Sequence, residues 1–443
     1  MAKYTKEAIL QMAEEEDVEF IRLQFTDMFG NMKNIAVTSS QLKKALNNEC
    51  MFEGSAIEGF SDDETDLYLY PDLDSFVILP WRPQQGKVAR MICDVRLADG
   101  TPYGGCTRSI LKNFLKKARE MGYYFYIGPE CEFFLFQTDE NGRPTTNTPE
   151  RAGYFDMGPI DMGENARRDM VLTLEDMGFE VESSYHELAA GQHEIDFHWA
   201  KGVSAADSLM TFKFAVRTIA KRHGLHATFM PKPKTGVSGS GMHLNFALYD
   251  KEGNNLFYDE ENPLKLSQKA YWFIGGLLAH IKGMSAITNP LINSYKRLVP
   301  GYEAPVYEAW STRSKSALIR IPSVRGRHTQ IELRSPDPAS NPYLALTVCL
   351  AAGLDGIQNQ ILPPEPVEQE VDKMSEEEKK KLGISSLPST LGEAIAALDD
   401  DTFIRQILGD TFVDQYLAVK KAEWMEYMPQ VFEWEVEKYL YRI

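Results

Sequence analysis

The chain has 443 residues, 43% of them hydrophobic, and a formal net charge of −17. A chain of that length and apolar content buries a core and is not disordered. The negative charge argues against nucleic acid or an anionic membrane surface as the main partner, though not against an anionic ligand held in a local basic pocket.

Cys50, Cys93, Cys106, Cys131 and Cys349 are scattered without paired spacing, which points to a reducing compartment and away from a zinc ribbon. The N-terminus lacks the apolar core of a signal peptide, and no apolar run is long enough to span a bilayer. A soluble cytoplasmic protein is expected.

Residues up to about 100 read as a small α+β unit. Thr5 is placed to cap a helix over Lys6–Glu16. Phe20, Arg22, Gln24 and Thr26 alternate with Ile21, Leu23 and Phe25, the pattern of a half-buried strand. Ser39–Asn47 reads as a short helix, and Val77–Pro80 and Val88–Val95 as strands. An acidic loop, Ser61–Asp66, precedes them. The turn-rich stretch Thr101–Gly105 marks a domain boundary. Three amphipathic helices follow, over Ser109–Met121, Asn165–Met177 and Ser204–His223, each ended by a glycine.

Glu130 and Glu132 lie two residues apart before the aromatic run Phe133–Phe136, which reads as a strand. Side chains two apart on a strand share a face, so these carboxylates are expected to point together. They repel unless a cation sits between them or one holds a proton. The same alternation recurs in Glu194–His198, His243–Leu248 and Gln330–Arg334. One polar strand face can simply meet water. Four suggest a curved sheet with an ionic site on its concave face.

Asn341-Pro342 opens a helix to about Gly356. Pro363–Lys381 reads as a charged surface excursion with a salt-bridge block, and residues 391–443 as helices carrying Trp424 and Trp434.

Glu130, Glu132, Glu187, Glu194, Glu332 and His243 are the candidate metal ligands. Carboxylates with one imidazole suit Mg²⁺ or Mn²⁺ better than zinc. Mg²⁺ sites of this kind also hold substrate phosphates, which calls for nearby cations; Arg297, Arg320, Arg325, Arg327 and Arg334 cluster in the same third of the chain. The glycine-rich stretch Val237–His243 lacks the Walker Lys-Ser/Thr and is no P-loop. Asn293–Pro305 has turn chemistry at both ends and reads as an active-site loop with Glu303 at its tip.

Along essentially its whole length the chain resembles the type I bacterial glutamine synthetases. The stretches GPECEFF, GQHEIDF, HATFMPKP, GSGMH, NSYKRLVPGYEAP, IRIP, IELRSPDPASNPYLAL and AAGLDGI carry the resemblance. The short segment between Thr138 and Tyr154 resembles the α subtype, and no tyrosine lies near Asp372, where the adenylylated subtype carries its modified residue.

The resemblance implies an α+β fold. A β-grasp-like N-terminal domain, residues 1–103, would precede a larger catalytic domain, residues 104–443, with a curved antiparallel sheet. Twelve subunits in two hexameric rings would share active sites between neighbours. Glu132, Glu187 and Glu194 would hold one Mg²⁺ or Mn²⁺, and Glu130, His243 and Glu332 a second. Arg297 and Arg334, with backbone of Gly239, would grip glutamate. Arg320 would contact phosphate, and Glu303 would close over the intermediate and help deprotonate the attacking nitrogen. ATP would phosphorylate the glutamate side chain, and ammonia would displace phosphate. Tyr185, Trp199, Asn245, Lys315, Arg320 and Gln330 would line the nucleotide site.

The departures from the family cluster at two pockets. The family's Phe-Asp-Gly-Ser-Ser is Phe52-Glu53-Gly54-Ser55-Ala56 here, on a loop that would serve the neighbour's ammonium pocket. Asp66 and Tyr154 still match that pocket. The loop after Phe60 is shorter and more acidic than usual. On the nucleotide side, Ser314-Lys315 replaces Asn-Arg, Gln330 replaces an arginine, and Tyr185 replaces a histidine; Ser238 replaces an asparagine on the glutamate side. Lysine keeps the charge and loses the bidentate fork. Three readings stay open: a glutamine synthetase, a γ-glutamyl ligase for an organic amine suited to the acidic pocket, and a weakly active paralogue with a regulatory binding role.

Overall fold

The computed structural model describes residues 3–60, 66–83, 85–302 and 304–443. Glu303 and Asp62–Glu64 of the acidic loop lie outside the described residues.

Thr5 caps α1 (Lys6–Glu15), its hydroxyl accepting from the Ala8 N–H at 3.2 Å. β1 (Val18–Thr26) and β2 (Met32–Thr38) form an antiparallel pair. A 3-10 turn and α2 (Leu42–Leu46) stand where one short helix was expected. β3 (Cys50–Glu53), β4 (Asp66–Pro71), β5 (Val77–Ile78) and β6 (Lys87–Arg96) complete a sheet of order β2-β1-β6-β4-β3, with β5 also on β6. Ile9, Ile21, Leu23, Leu46, Leu69 and Met91 are part of its own buried core.

β1 departs from the half-buried pattern in its second half, where Gln24 and Thr26 are buried along with Leu23 and Phe25. The reason is tertiary. The strand runs into the rest of the molecule, and Asn341 Nδ2 donates to the carbonyls of Asp27 and Met28 at 3.0 and 3.2 Å.

α3 (Thr107–Glu120) leads into β7 (Tyr124–Cys131) and β8 (Phe133–Gln137). α4 (Glu164–Asp176), β9 (Val181–His186), β10 (Gln192–Phe197), β11 (Ala200–Lys201), α5 (Val203–Arg222), β12 (Leu225–Thr228) and β13 (Met242–Tyr249) follow. α3, α4 and α5 stop before Gly122, Gly178 and Gly224, all at positive φ, within two residues of the expected ends. After the long helix α6 (Gln268–Thr288) and the turn α7 (Ser294–Arg297) come β14 (Tyr307–Ser311), β15 (Ala317–Arg320), β16 (Ile331–Leu333) and α8 (Pro342–Asn359).

The expected curved antiparallel sheet is realised as two. One has the order β11-β7-β13-β16-β15-β14, the other β12-β8-β10-β9. Neighbours are antiparallel except β14 and β15. Helices α5, α6 and α8 back the strands, and Phe133, Phe212, Phe246 and Phe273 are buried between the layers. Each such ring contributes roughly 1.5–3 kcal/mol of burial.

Pro363–Lys381 differs from its expected surface role. The Trp310 indole N–H donates to the Pro364 carbonyl at 2.6 Å, Val371 is fully buried, and Lys379 sits over the Tyr307 ring at 4.4 Å. β14 is an edge strand, and this segment covers its unpaired side. The i,i+3 pair Glu376–Lys379 does form within α9 (Glu376–Lys381). The chain ends in α10 (Leu391–Asp400), α11 (Thr402–Leu408), α12 (Asp410–Tyr427) and α13 (Glu433–Tyr439). Trp424 packs on Gly392, whereas Trp434 is exposed. No helix among the described residues is long and apolar enough to cross a membrane.

His280 on α6 joins three helices. Its Nε2 lies 3.0 Å from Asp355 of α8, its Nδ1 3.7 Å from Asp401 at the start of α11, and its ring stacks on Phe403. Burial opposes charge on the imidazole, but Asp401 and Asp355 together raise its pKa above the usual value. A raised folded pKa stabilises the fold fully below the unfolded pKa and loses that stability as pH rises through the folded value. The melting-temperature gap between the protein and His280→Gln is therefore expected to be widest below the ordinary histidine range and to narrow as pH rises above it. A gap that is constant across that range would contradict the assignment.

Candidate active site

The chain crosses between the two sheets at Glu132, so Glu130 and Glu132 do not share one strand face as expected. Glu130 is the last residue but one of β7 and pairs in register with His243, while β8 begins after Glu132 and pairs with β10 and β12. The Glu132 N–H donates to the Gly241 carbonyl at 3.1 Å, which pins the crossing. Alternation along the aromatic run then buries both faces of β8: Phe133 and Leu135 lie in the large core, whereas Phe134 and Phe136 stack on each other in a separate small cluster.

Strand register assembles one half of the site. Across the larger sheet Glu130 faces His243, Asn245 faces Glu332, and Glu332 faces Arg320. Ligand atoms of Glu130, His243 and Glu332 all lie within 4.8 Å of one another. His243 Nδ1 is 3.1 Å from Glu130 Oε2 and 3.6 Å from Glu332 Oε1. Burial, then Arg334, drives the His243 pKa well below its ordinary value. The imidazole is neutral and can ligate a metal.

The other half comes from the smaller sheet. Glu187 follows β9, and Glu194 lies on β10 opposite Tyr185. Glu132, Glu187 and Glu194 face one another electrostatically, though among the described residues their oxygens are not gathered within 4.8 Å. Burial, then Glu187, raises the Glu132 pKa to about 8. Burial, then Glu132, lifts Glu194 well above the carboxylate range. So many buried acids carry their charge together only with cations among them. Asn245 Oδ1 and Asp196 Oδ1 are buried there without a hydrogen-bond partner. Oxygen donors, one neutral imidazole and orphaned acceptors fit hard divalent cations.

The expected glutamate and phosphate arginines surround this centre. Arg320 Nε and Arg334 Nη1 each lie 2.5 Å from a Glu332 oxygen. Arg297 is buried and donates to the carbonyls of Ser335 and Arg334 at 2.7 and 3.1 Å. Gly239 approaches it closely; a Cβ there would come 2.3 Å from the Pro231 carbonyl oxygen, so no larger residue fits.

The nucleotide candidates are less gathered. Trp199 packs over Gly128, whose carbonyl accepts from Asn245 Nδ2 at 3.1 Å. Tyr185 is half-buried with its ring edge on Phe155 at 5.1 Å, and burial and Glu194 push its pKa up. Lys315 is exposed in the turn before β15 and Gln330 is half-buried before β16; neither hydrogen-bonds to the centre among the described residues. On the acceptor side, Glu53 and Asp66 lie opposite each other across β3 and β4, and Glu53 accepts from Ser55 Oγ at 2.6 Å. Tyr154 stacks on Phe155 at 4.0 Å. No hydrogen bond or ion pair joins Glu53 or Asp66 to the carboxylate centre of the same chain among the described residues.

Sequence reasoning missed Gln192, Asp196, Glu150 and His186. Asp196 carried a signal, since it alternates with Glu194 on β10. Burial and Glu130 raise its pKa. Glu150 and Gln192 carried none, because their partners are distant in sequence. Glu150 accepts from His186 Nε2, Ala152 N and Gly191 N and ties down the turn between β9 and β10. A second acid–histidine group, Asp161, His186 and His193, is already served by Arg167, whose Nη1 meets Asp161 at 2.6 Å and His193 at 2.8 Å.

A cluster of acids and an imidazole suited to divalent cations and ringed by guanidinium groups is the arrangement of a class of enzymes that handle anionic, phosphate-bearing substrates. Residues 17–98 match the glutamine synthetase β-grasp domain and residues 104–439 the glutamine synthetase catalytic domain. A glutamine synthetase of Clostridium saccharobutylicum is 58% identical over 441 residues, covering 99% of both chains. One from Staphylococcus aureus is 54% identical over 439 residues, covering 99% of this chain and 98% of its own. Two solved structures described as a GmaS/ADP complex and apo GmaS are 32% identical, with TM-scores of 0.88 and 0.87 over 97% and 98% of this chain and 99% of their own. The chain belongs to the glutamine synthetase family.

Proposed function

We propose that this protein is a glutamate–ammonia ligase that makes glutamine from glutamate, ammonium and ATP by way of γ-glutamyl phosphate. The full-length identity of 58% to a glutamine synthetase carries the reading. Glu132, Glu187 and Glu194 would hold one Mg²⁺ or Mn²⁺ and Glu130, His243 and Glu332 another. Metal bound there supplies positive charge to phosphoryl oxygens as they approach a carboxylate. In this reading Arg297, Arg334 and the Gly239 backbone orient glutamate, and Arg320 steadies the transferred phosphoryl group. Trp199 and Asn245, with Tyr185, Lys315 and Gln330, line the nucleotide side. Glu53, Asp66 and Tyr154 bind the acceptor, and Glu303 takes its proton.

The division into domains at 1–103 and 104–443, and a dodecamer with shared sites, belong to the same proposal. Exposed Glu53, on the β-grasp sheet, would serve a neighbouring subunit. Five free, buried cysteines support a reducing cytoplasm.

A second reading takes an organic amine as the acceptor. Glu53 and Asp66, opposite in register, favour a cationic one. Phosphate release with Mg²⁺ or Mn²⁺, ATP and glutamate decides between them. Ammonium is expected to support turnover, and chelation with EDTA to stop it until metal is returned. Release with methylamine or putrescine and none with ammonium would establish the second reading. No release with any acceptor would leave the weakly active regulatory paralogue.

A further inference from the structure

Gln192 is fully buried at the start of β10 and touches both the Glu132 side of the proposed metal site and the Gly239 backbone of the proposed glutamate site. Its Nε2 donates to Glu132 Oε2 at 2.8 Å and to the Gly239 carbonyl at 3.1 Å. Its Oε1 accepts from the Ala189 N–H at 3.2 Å, which fixes which way the amide points. Glu132 Oε2 also accepts from the Gly241 N–H at 2.9 Å. Both donors on Glu132 use the same oxygen, leaving Oε1 for a cation. Gly239 is held from its other side, since the following Ser240 N–H donates to the Pro231 carbonyl at 2.8 Å.

We propose that Gln192 is a positioning residue that couples metal binding at Glu132 to glutamate binding at Gly239. This rests on the function proposed above and deepens it. One amide group carries both hydrogen bonds, so a shift of the Glu132 carboxylate on taking up metal moves the donor that orients the Gly239 backbone. A side chain that merely filled space would need neither donor. Two buried polar partners with one shared donor group respond together, because leaving either unpaired is costly.

The test is a binding experiment on the full-length protein, with glutamate titrated calorimetrically in the presence and absence of Mn²⁺. The unaltered protein is expected to bind glutamate at least about fivefold more tightly with Mn²⁺, the usual size of a coupling between sites. In Gln192→Met, similar in length and lacking both donors, that ratio is expected to fall to about 1, with Mn²⁺ itself bound about tenfold more weakly, as for other outer-shell changes. Gln192→Glu keeps the acceptor for Ala189, removes the amide donors, and is expected to lose the coupling too; it decides the matter if the methionine variant does not fold. An unchanged ratio in a folded variant overturns the proposal. So does equal weakening of glutamate with and without metal, which marks a purely structural role. If the unaltered protein binds neither glutamate nor Mn²⁺, the functional reading itself fails; if it binds both without coupling, only this inference does.

Discussion

Replacing Glu332 with alanine is expected to lower phosphate release by on the order of 10³, the range for losing a preorganised electrostatic group. The same change is expected to destabilise the fold by about 3–5 kcal/mol. Glu332 is fully buried on β16, with Arg320 and Arg334 each 2.5 Å from one of its oxygens. Alanine leaves two guanidinium groups facing each other across an emptied space and removes one of the three gathered ligand groups Glu130, His243 and Glu332. Glu332→Gln separates the two effects. The amide retains the shape and one acceptor oxygen, so stability falls less, while the charge needed for a metal is gone and activity falls as far. Urea unfolding at fixed protein concentration, with phosphate release at saturating substrates, reads both. Activity within tenfold of the unaltered protein would remove Glu332 from the metal centre.

Arg108→Ala is expected to cost about 3–5 kcal/mol with little change in the KM for glutamate. Arg108 is buried at the join between the N-terminal sheet and the helices behind the site. It donates to Asp94 of β6 at 2.7 Å, to Asp72 at 2.7 Å and to Asp207 of α5 at 2.8 Å. Lys112 of α3 still reaches Asp94 of β6, and the Tyr343 hydroxyl still reaches Asp207, but neither ties all three acids together. Alanine thus leaves three acids sharing too few partners. Arg108→Lys restores one charge without the planar fork and is expected to fall between the two. A loss below about 1 kcal/mol on urea unfolding would show that the acids are solvated or paired otherwise.

Much of the molecule was readable along the chain, for local reasons. Thr5, Asn341-Pro342 and the glycines after α3, α4 and α5 act on their own neighbours, so those helix ends fell within a few residues of expectation. Glu194, His243 and Glu332 lie on strands whose polar and apolar residues alternate, and alternation exposes a face without revealing what it faces. Long-range contact was hidden. Gln24 and Thr26 are buried where β1 runs into the rest of the molecule, just before Asn341, more than three hundred residues away, bonds to the Asp27 and Met28 carbonyls. Trp310 draws Pro364 and its flanking segment down onto an edge strand that looked, from charge alone, as though it faced water.

The proposed metal site divides the same way. Residue types and spacing alone singled out Glu130, Glu132, Glu187, Glu194, His243 and Glu332 as candidate ligands for a hard cation, because donor chemistry is a property of each side chain. How they meet was decided only in three dimensions. The chain changes sheets at Glu132, whose N–H is held by the distant Gly241 carbonyl, and the strand that follows is buried on both faces, in two separate clusters. That crossing parts Glu130 from Glu132 and brings Glu132 to Gln192, sixty residues on, whose amide also reaches Gly239. Side-chain alternation is set by neighbours along the backbone, whereas a crossing between sheets depends on which cores the whole chain has built.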